Sequence, residues 1–216
     1  MARITILGGT GYAGAAVVAE AAKRGHQVTS VSRSEPETRI DGVEYVVGSA
    51  LDSATLDTVL PGRDVVLSAI SPRGETAGKL EGILDDLITR LDGTPTRLGF
   101  VGGASSLQLE EGGPTRYDLE KEHIPAEVLP EIETGIAALA ALKASPESLD
   151  WFYVSPPADF GSWLGTPSQG RYRLGGDVLL KDAEGVSTIS ADDLALAIVD
   201  EIEKSAHHRR RFTAAY

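Results

Sequence analysis

Ile4-Thr-Ile-Leu-Gly-Gly-Thr-Gly-Tyr-Ala-Gly14 is the stretch that decides the fold. An apolar run (Ile4, Ile6, Leu7) leads into Gly8, Gly11 and Gly14, and an alanine-rich stretch follows. This order reads as a buried strand, a tight turn and a helix start, which together set helix N-terminal amides against a dinucleotide pyrophosphate. Gly8 is expected to turn the chain off the strand. Gly11 should let backbone approach phosphate, and Gly14 should let the helix pack closely on the sheet. Three glycines at this spacing recur by chance in a chain with 24 glycines, so the context carries weight. A helix is predicted from Ala13 to Arg24, Gly25 stops it, and Val28 to Val31 begins a new strand, completing a βαβ unit of roughly thirty residues.

Working outward, strands and helices alternate. Strands are predicted at Val28 to Ser32, Val43 to Val47, Asp64 to Ile70, Leu98 to Val101 and Trp151 to Val154, with a polar loop over Arg33 to Asp41. Helices are predicted at Asp52 to Leu60, Lys79 to Leu91 and Glu131 to Ala144. The end of the chain differs. Gly170 to Leu174 and Val178 to Leu180 read as a hairpin around Gly175-Gly176, and Gly185 turns toward Val186 to Ile189. Ser190 and Asp193 read as a capping box opening a helix to about Lys204, and Arg211 to Ala215 reads as a closing strand. The expected class is α/β, a Rossmann-type doubly wound parallel sheet. It forms one domain over 1–216, with about 155–216 as a small substrate-side appendage.

The chain has 216 residues, no cysteine and a net charge of -12. That balance argues against nucleic acid or an anionic membrane as partner, since both need a basic face. Disulfide and thiolate chemistry are excluded. No signal peptide and no spanning segment are read, so a cytoplasmic protein is expected. The helices at 79–91 and 131–144 leave monomer or homodimer open, since each could pack on the sheet or form a dimer face.

In such a fold an acid ending the second strand accepts from the adenosine ribose 2′-hydroxyl, whereas an arginine accommodates a 2′-phosphate. Here the strand ends in Ser32-Arg33-Ser34, with no acid until Glu35, so NADP(H) is expected over NAD(H). Ala50 and Leu51 should border the adenine. Ser68, Ala69 and Ile70 should border the nicotinamide ribose, and Gly102 and Gly103 follow the fifth strand.

Gly8-Gly-Thr-Gly-Tyr-Ala-Gly14, Ser32-Arg33, Val101-Gly-Gly-Ala-Ser-Ser-Leu107 and Asp150-Trp-Phe-Tyr-Val-Ser-Pro-Pro157 together resemble the atypical short-chain dehydrogenase/reductases. The closer likeness is to the bacterial NmrA-like NAD(P)H-binding proteins often described as NADH-flavin reductases. The resemblance implies that Gly8, Thr10, Gly11, Tyr12, Ala13 and Arg33 contact the dinucleotide. The wider superfamily uses a serine after the fifth strand and a Tyr-x-x-x-Lys pair, in which lysine lowers the tyrosine pKa. Gly103 stands at the usual serine position, with Ser105 and Ser106 two and three residues on. Tyr117 and Lys121 have the required spacing and are the candidate catalytic pair. They sit in the charged stretch Arg116 to His123, which favours a coincidental loop pair. The histidine that related flavin/biliverdin reductases carry after Pro-Pro is replaced by Ala158-Asp159.

Two functions fit. One is an NADPH-dependent reductase of a small planar acceptor such as FMN, FAD or a quinone, needing no protein acid or base. The other is a non-catalytic NADP(H)-binding redox sensor. The run His207-His-Arg-Arg-Arg211 reads as charge balance for the acidic helix before it.

Overall fold

The computed structural model describes residues 1–216. Its strands are β1 (Arg3–Leu7), β2 (Gln27–Ser32), β3 (Glu44–Val47), β4 (Val65–Ser68), β5 (Arg97–Val101), β6 (Trp151–Ser155), β7 (Arg173–Gly175) and β8 (Arg210–Ala215). Its helices are α1 (Tyr12–Lys23), α2 (Ser53–Val59), α3 (Leu80–Leu91), α4 (Arg116–Glu120), α5 (Leu129–Ala144) and α6 (Ala191–Lys204). All eight strands join one sheet in the order β3-β2-β1-β4-β5-β6-β8-β7, parallel except for β7 against β8. The order reverses between β1 and β4, so loops leave their carboxyl ends in opposite directions and open a crevice there.

Strand alternation sends side chains into two cores. Trp151 and Tyr153 of β6 face the side covered by α2, α3 and α5, packing among Leu84, Leu98 and Phe100. Phe152 and Val154 face α1 and α6, packing among Ile4, Val17, Ile198 and Phe212. The apolar faces of α3 and α5 therefore lie inside this chain, against its own sheet. No helix is long and apolar enough to cross a membrane.

Three expectations need correction. The hairpin between Gly170 to Leu174 and Val178 to Leu180 does not form. Arg173–Gly175 pairs instead with the C-terminal strand, in register Arg173↔Ala215. Beyond it Asp177 is held by Arg211, and Val178 bridges Gln108. β8 would otherwise leave its edge unpaired, and Arg173–Gly175 covers it with three residue pairs. Next, the charged stretch at 116–120 is helical, because Thr115 and Asp118 form a reciprocal capping box. Finally, Ser190 does cap α6, accepting from the Asp193 N–H at 3.0 Å, but Asp193 does not return the bond to the cap. The Ser190 N–H goes to the Tyr216 hydroxyl.

The charge-balance reading of His207 to Arg211 holds only in part. Buried Glu201 accepts from Arg97 Nη2 at 2.6 Å and lies 2.6 Å from His207 Nδ1. His208 pairs with Asp150, and Arg209 donates to carbonyls of Ser145, Pro146 and Leu149. Burial disfavours the Glu201 carboxylate, yet the bonds from His207 and Arg97 outweigh it and hold its pKa below the ordinary value. The stability this contributes is complete above the unfolded carboxyl pKa, about 4.3, and is lost as pH falls toward the lower folded value. Glu201→Gln leaves Arg97 short of a buried counter-charge and is expected to cost about 3 kcal/mol at neutral pH. Urea melts at pH 7 and pH 4 test this: the variant should show the smaller acid loss.

Candidate functional site

A cleft of ≈ 780 Å³ lies over the carboxyl ends of the strands at the order reversal. The glycine loop forms its floor. Gly8 has φ +84°, and a Cβ there would stand 2.7 Å from the Ala69 carbonyl oxygen. A Cβ at Gly14 would overlap the Gly8 carbonyl oxygen and lie 2.9 Å from its carbon. The close approach expected of Gly14 is thus made to the loop itself rather than to the sheet. Gly9, to which the motif assigns no role, is closed to a side chain by Ser30 Oγ beneath it.

Gly11 is the extended cap residue of α1, and its N–H donates back to Gly8 O at 3.0 Å. No side chain caps this helix and its first turn carries no acid. The amides of Tyr12 and Ala13 therefore meet no acceptor from the chain. Exposed donors at a positive helix end, beside glycines that admit no side chain, match the needs of a pyrophosphate.

At the carboxyl ends of β2 and β3, Ser32, Arg33 and Ala50 line the cleft. Leu51 is exposed and stands outside the lining, and Ser68 is buried beneath it with an unpartnered hydroxyl. Ala69 and Ile70 take the lining positions instead. Arg33 Nη1 donates to Glu75 Oε2 at 3.0 Å, across the mouth of the cleft.

At the opposite end Gly102 and Gly103 lie over Tyr153. A Cβ at Gly102 would overlap the tyrosine ring, whereas one at Gly103 would meet nothing within 4 Å. The Tyr153 hydroxyl accepts from Gly103 N–H at 3.2 Å and donates to Gly135 O at 3.0 Å. Burial pushes its pKa up to about 12, which fits a structural tie rather than a proton donor in exchange. A smaller cavity of ≈ 180 Å³, lined in part by Phe100, Ile132 and Ile136, adjoins the cleft at Gly103.

Neither Tyr117 nor Lys121 lines the cleft. The Tyr117 hydroxyl donates to Glu133 Oε1 at 2.7 Å, and that bond raises its pKa, the reverse of what a lysine partner does. Lys121 heads the single 3₁₀ turn Lys121–His123 and is exposed. The spacing is present, but Glu133 on α5 takes the hydroxyl. Ser105 borders the cleft, while Ser106 accepts from Arg211 through both its carbonyl and its hydroxyl.

The roof comes from the segment after β6. Phe160 packs on Tyr12 with ring centroids 5.1 Å apart, and Trp163 is 70% exposed at the rim. The Arg73 guanidinium lies 6.0 Å from the Trp163 ring and donates to Glu131 at 2.6 Å. Asp159 is exposed and stands outside the cleft lining, its backbone pairing with Ser187 and Thr188. The roof is tied down by Asp193, which accepts from Ser168 Oγ at 2.8 Å, Gln169 N at 2.6 Å, Gly170 N at 3.1 Å and the Tyr216 hydroxyl. Burial disfavours its charge, but these donors hold its pKa below the usual carboxylate range. Arg73, Glu75 and Glu131 carry no motif signal, whereas the Ser190–Asp193 spacing had pointed to Asp193.

The chain belongs to the NAD(P)H-binding family, whose pattern matches residues 8–205. It is 31% identical over 211 residues to the uncharacterized protein YwnB of Bacillus subtilis, covering 98% of this chain and 97% of that one. The structure of SP1627 from Streptococcus pneumoniae, named as a candidate NADH-flavin reductase, is 31% identical with a TM-score of 0.86, covering 100% of this chain and 99% of that one. A Burkholderia pseudomallei protein named as a candidate exported protein is 35% identical with a TM-score of 0.81, covering 100% of both chains.

Gly14→Ala is expected to displace the Gly8 carbonyl, costing about 1–3 kcal/mol and weakening binding of the dinucleotide. Gly103→Ser enters open space and should change stability by less than about 0.5 kcal/mol. Thermal melts and cofactor titration of the two variants separate these outcomes.

Proposed function

We propose that the protein is an NADPH-dependent reductase of a flat acceptor of the flavin or quinone type. The observation that carries the reading is the space at the Gly103 end of the cleft. Phe160 and Trp163 line the same cleft, Gly103 contributes no side chain, and a further cavity of mixed lining, Phe100, Ile132 and Ile136 with Ser105 and Glu131, opens alongside. A planar ring fits such a site better than a small alcohol, which needs a hydroxyl donor in contact. The name carried by the Streptococcus pneumoniae neighbour supports the same acceptor class.

Bound in the cleft, the nicotinamide supplies a hydride. The chain holds and aligns. Amides of Tyr12 and Ala13 would receive the pyrophosphate, and the Arg33 guanidinium, a planar fork suited to phosphate, would serve the adenosine ribose. Phe160 and Trp163 would offer ring faces to a planar acceptor, while Asp193 keeps the end of their segment in place. Alignment of two rings supplies most of the rate effect, so no poised acid is required. The sensor reading is favoured by Gly103 at the serine position and by the Tyr117–Glu133 bond.

NADPH oxidation followed by absorbance with FMN, FAD and quinones should show turnover with at least one acceptor. Tight NADPH binding without turnover on any of them overturns the reductase in favour of the sensor. Arg33→Ala should weaken NADPH by about tenfold more than NADH, as expected for loss of a charge-assisted bond. Tyr117→Phe should leave the rate within about twofold of the parent, because loss of a residue outside the reacting shell removes little transition-state binding. A larger fall returns Tyr117 to the chemistry.

A further inference from the structure

We infer that Glu75 is a specificity-determining residue, which sets the balance between NADPH and NADH by holding the guanidinium of Arg33. This rests on the NADP(H) reading of Arg33 proposed above.

Glu75 is placed by its own turn, not by the glycine motif. It sits in the single 3₁₀ turn Gly74–Thr76 after β4, where Gly74 adopts φ +60°. Buried Thr76 locks that turn, its hydroxyl bonding to the carbonyls of Ser71 at 2.5 Å and Arg73 at 2.8 Å. The turn delivers the Glu75 carboxylate to Arg33, 42 residues earlier, at 3.0 Å. The pair therefore joins the two banks of the cleft, one from the end of β2 and one from the loop after β4.

Charge decides what each ligand meets. A ribose 2′-phosphate needs the guanidinium that the carboxylate occupies, and its own charge is repelled by Glu75. It gains the arginine only by displacing or sharing an existing partner. A 2′-hydroxyl has no such conflict: it can donate to the Glu75 carboxylate while Arg33 stays paired. The acid that dinucleotide sites place at the end of the second strand is absent from that position here. Its role comes from the opposite bank, with the arginine between. Both side chains are more than half exposed, so the coupling is modest and screened by salt.

The test is the dissociation constant of NADPH and of NADH, measured at low salt on the parent, Glu75→Gln, Arg33→Ala and the double variant. Glutamine keeps the shape and removes the charge. NADPH should bind about two- to fivefold more tightly to Glu75→Gln, the range an exposed ion pair supports. NADH should bind equally or more weakly, and the NADPH gain should vanish when Arg33 is already alanine. A melting temperature equal to the parent's separates this from a structural effect. If Arg33→Ala selectively weakens NADPH but Glu75→Gln leaves the ratio unchanged, the inference about Glu75 is wrong and the arginine reading stands. If Arg33→Ala is not selective, the cofactor reading itself fails. A Glu75→Gln gain that persists in the Arg33→Ala background would show direct repulsion alone and overturn the competition for the guanidinium.

Discussion

The contact on which the site depends is the seating of the Gly8 carbonyl against the Cα of Gly14. The oxygen stands where a Cβ would lie, so the first turn of α1 can fold down onto the loop that precedes it. That seating sets the helix axis and hence the direction of the Tyr12 and Ala13 amides. It also carries Val17 and Val18 of α1 into the core shared with α6. A larger residue at position 14 would move the donors and the packing together, because one rigid helix carries both.

The rest of the cleft is held by polar ties over long sequence separations. Asp193 gathers the roof segment to the head of α6 and to the last residue of the chain. Its carboxylate stays charged in a buried place because four donors converge on it, which offsets the cost of desolvation. At the other end of the sheet, Arg97, Glu201 and His207 form a second buried group joining β5, α6 and the start of β8. An acidic chain thus keeps its few buried cations paired, while the surplus carboxylates face solvent.

The chemistry follows from what is missing around Gly103. Gly103 brings no side chain, Tyr117 is bonded to Glu133, and Ser105 is the nearby serine that borders the cleft. Phe160, Trp163 and the adjoining cavity border the open space at that side of the site. Arg73, paired with Glu131 and near the Trp163 ring, adds charge to that rim.

The fold was legible because its signals are local. Ile4 to Gly14, the alternation through β6 and the helical spacing of Leu80 to Leu91 depend on backbone sterics and on burial of neighbouring side chains, and both leave a periodic trace in the sequence. The same holds for the glycine floor and for Arg33 at the end of β2. The C-terminal pairing left no such trace: Arg173–Gly175 chose β8 over a nearby hairpin partner because an open sheet edge was available in space. Glu75 against Arg33, Glu133 against Tyr117, and Asp193 beneath the roof are likewise meetings between distant segments. The sequence by itself determined the α/β architecture and the cradle for a dinucleotide. Only the tertiary structure decided which charged groups face one another across the cleft, because a carboxylate's partner is set by where the chain returns and not by its neighbours along it.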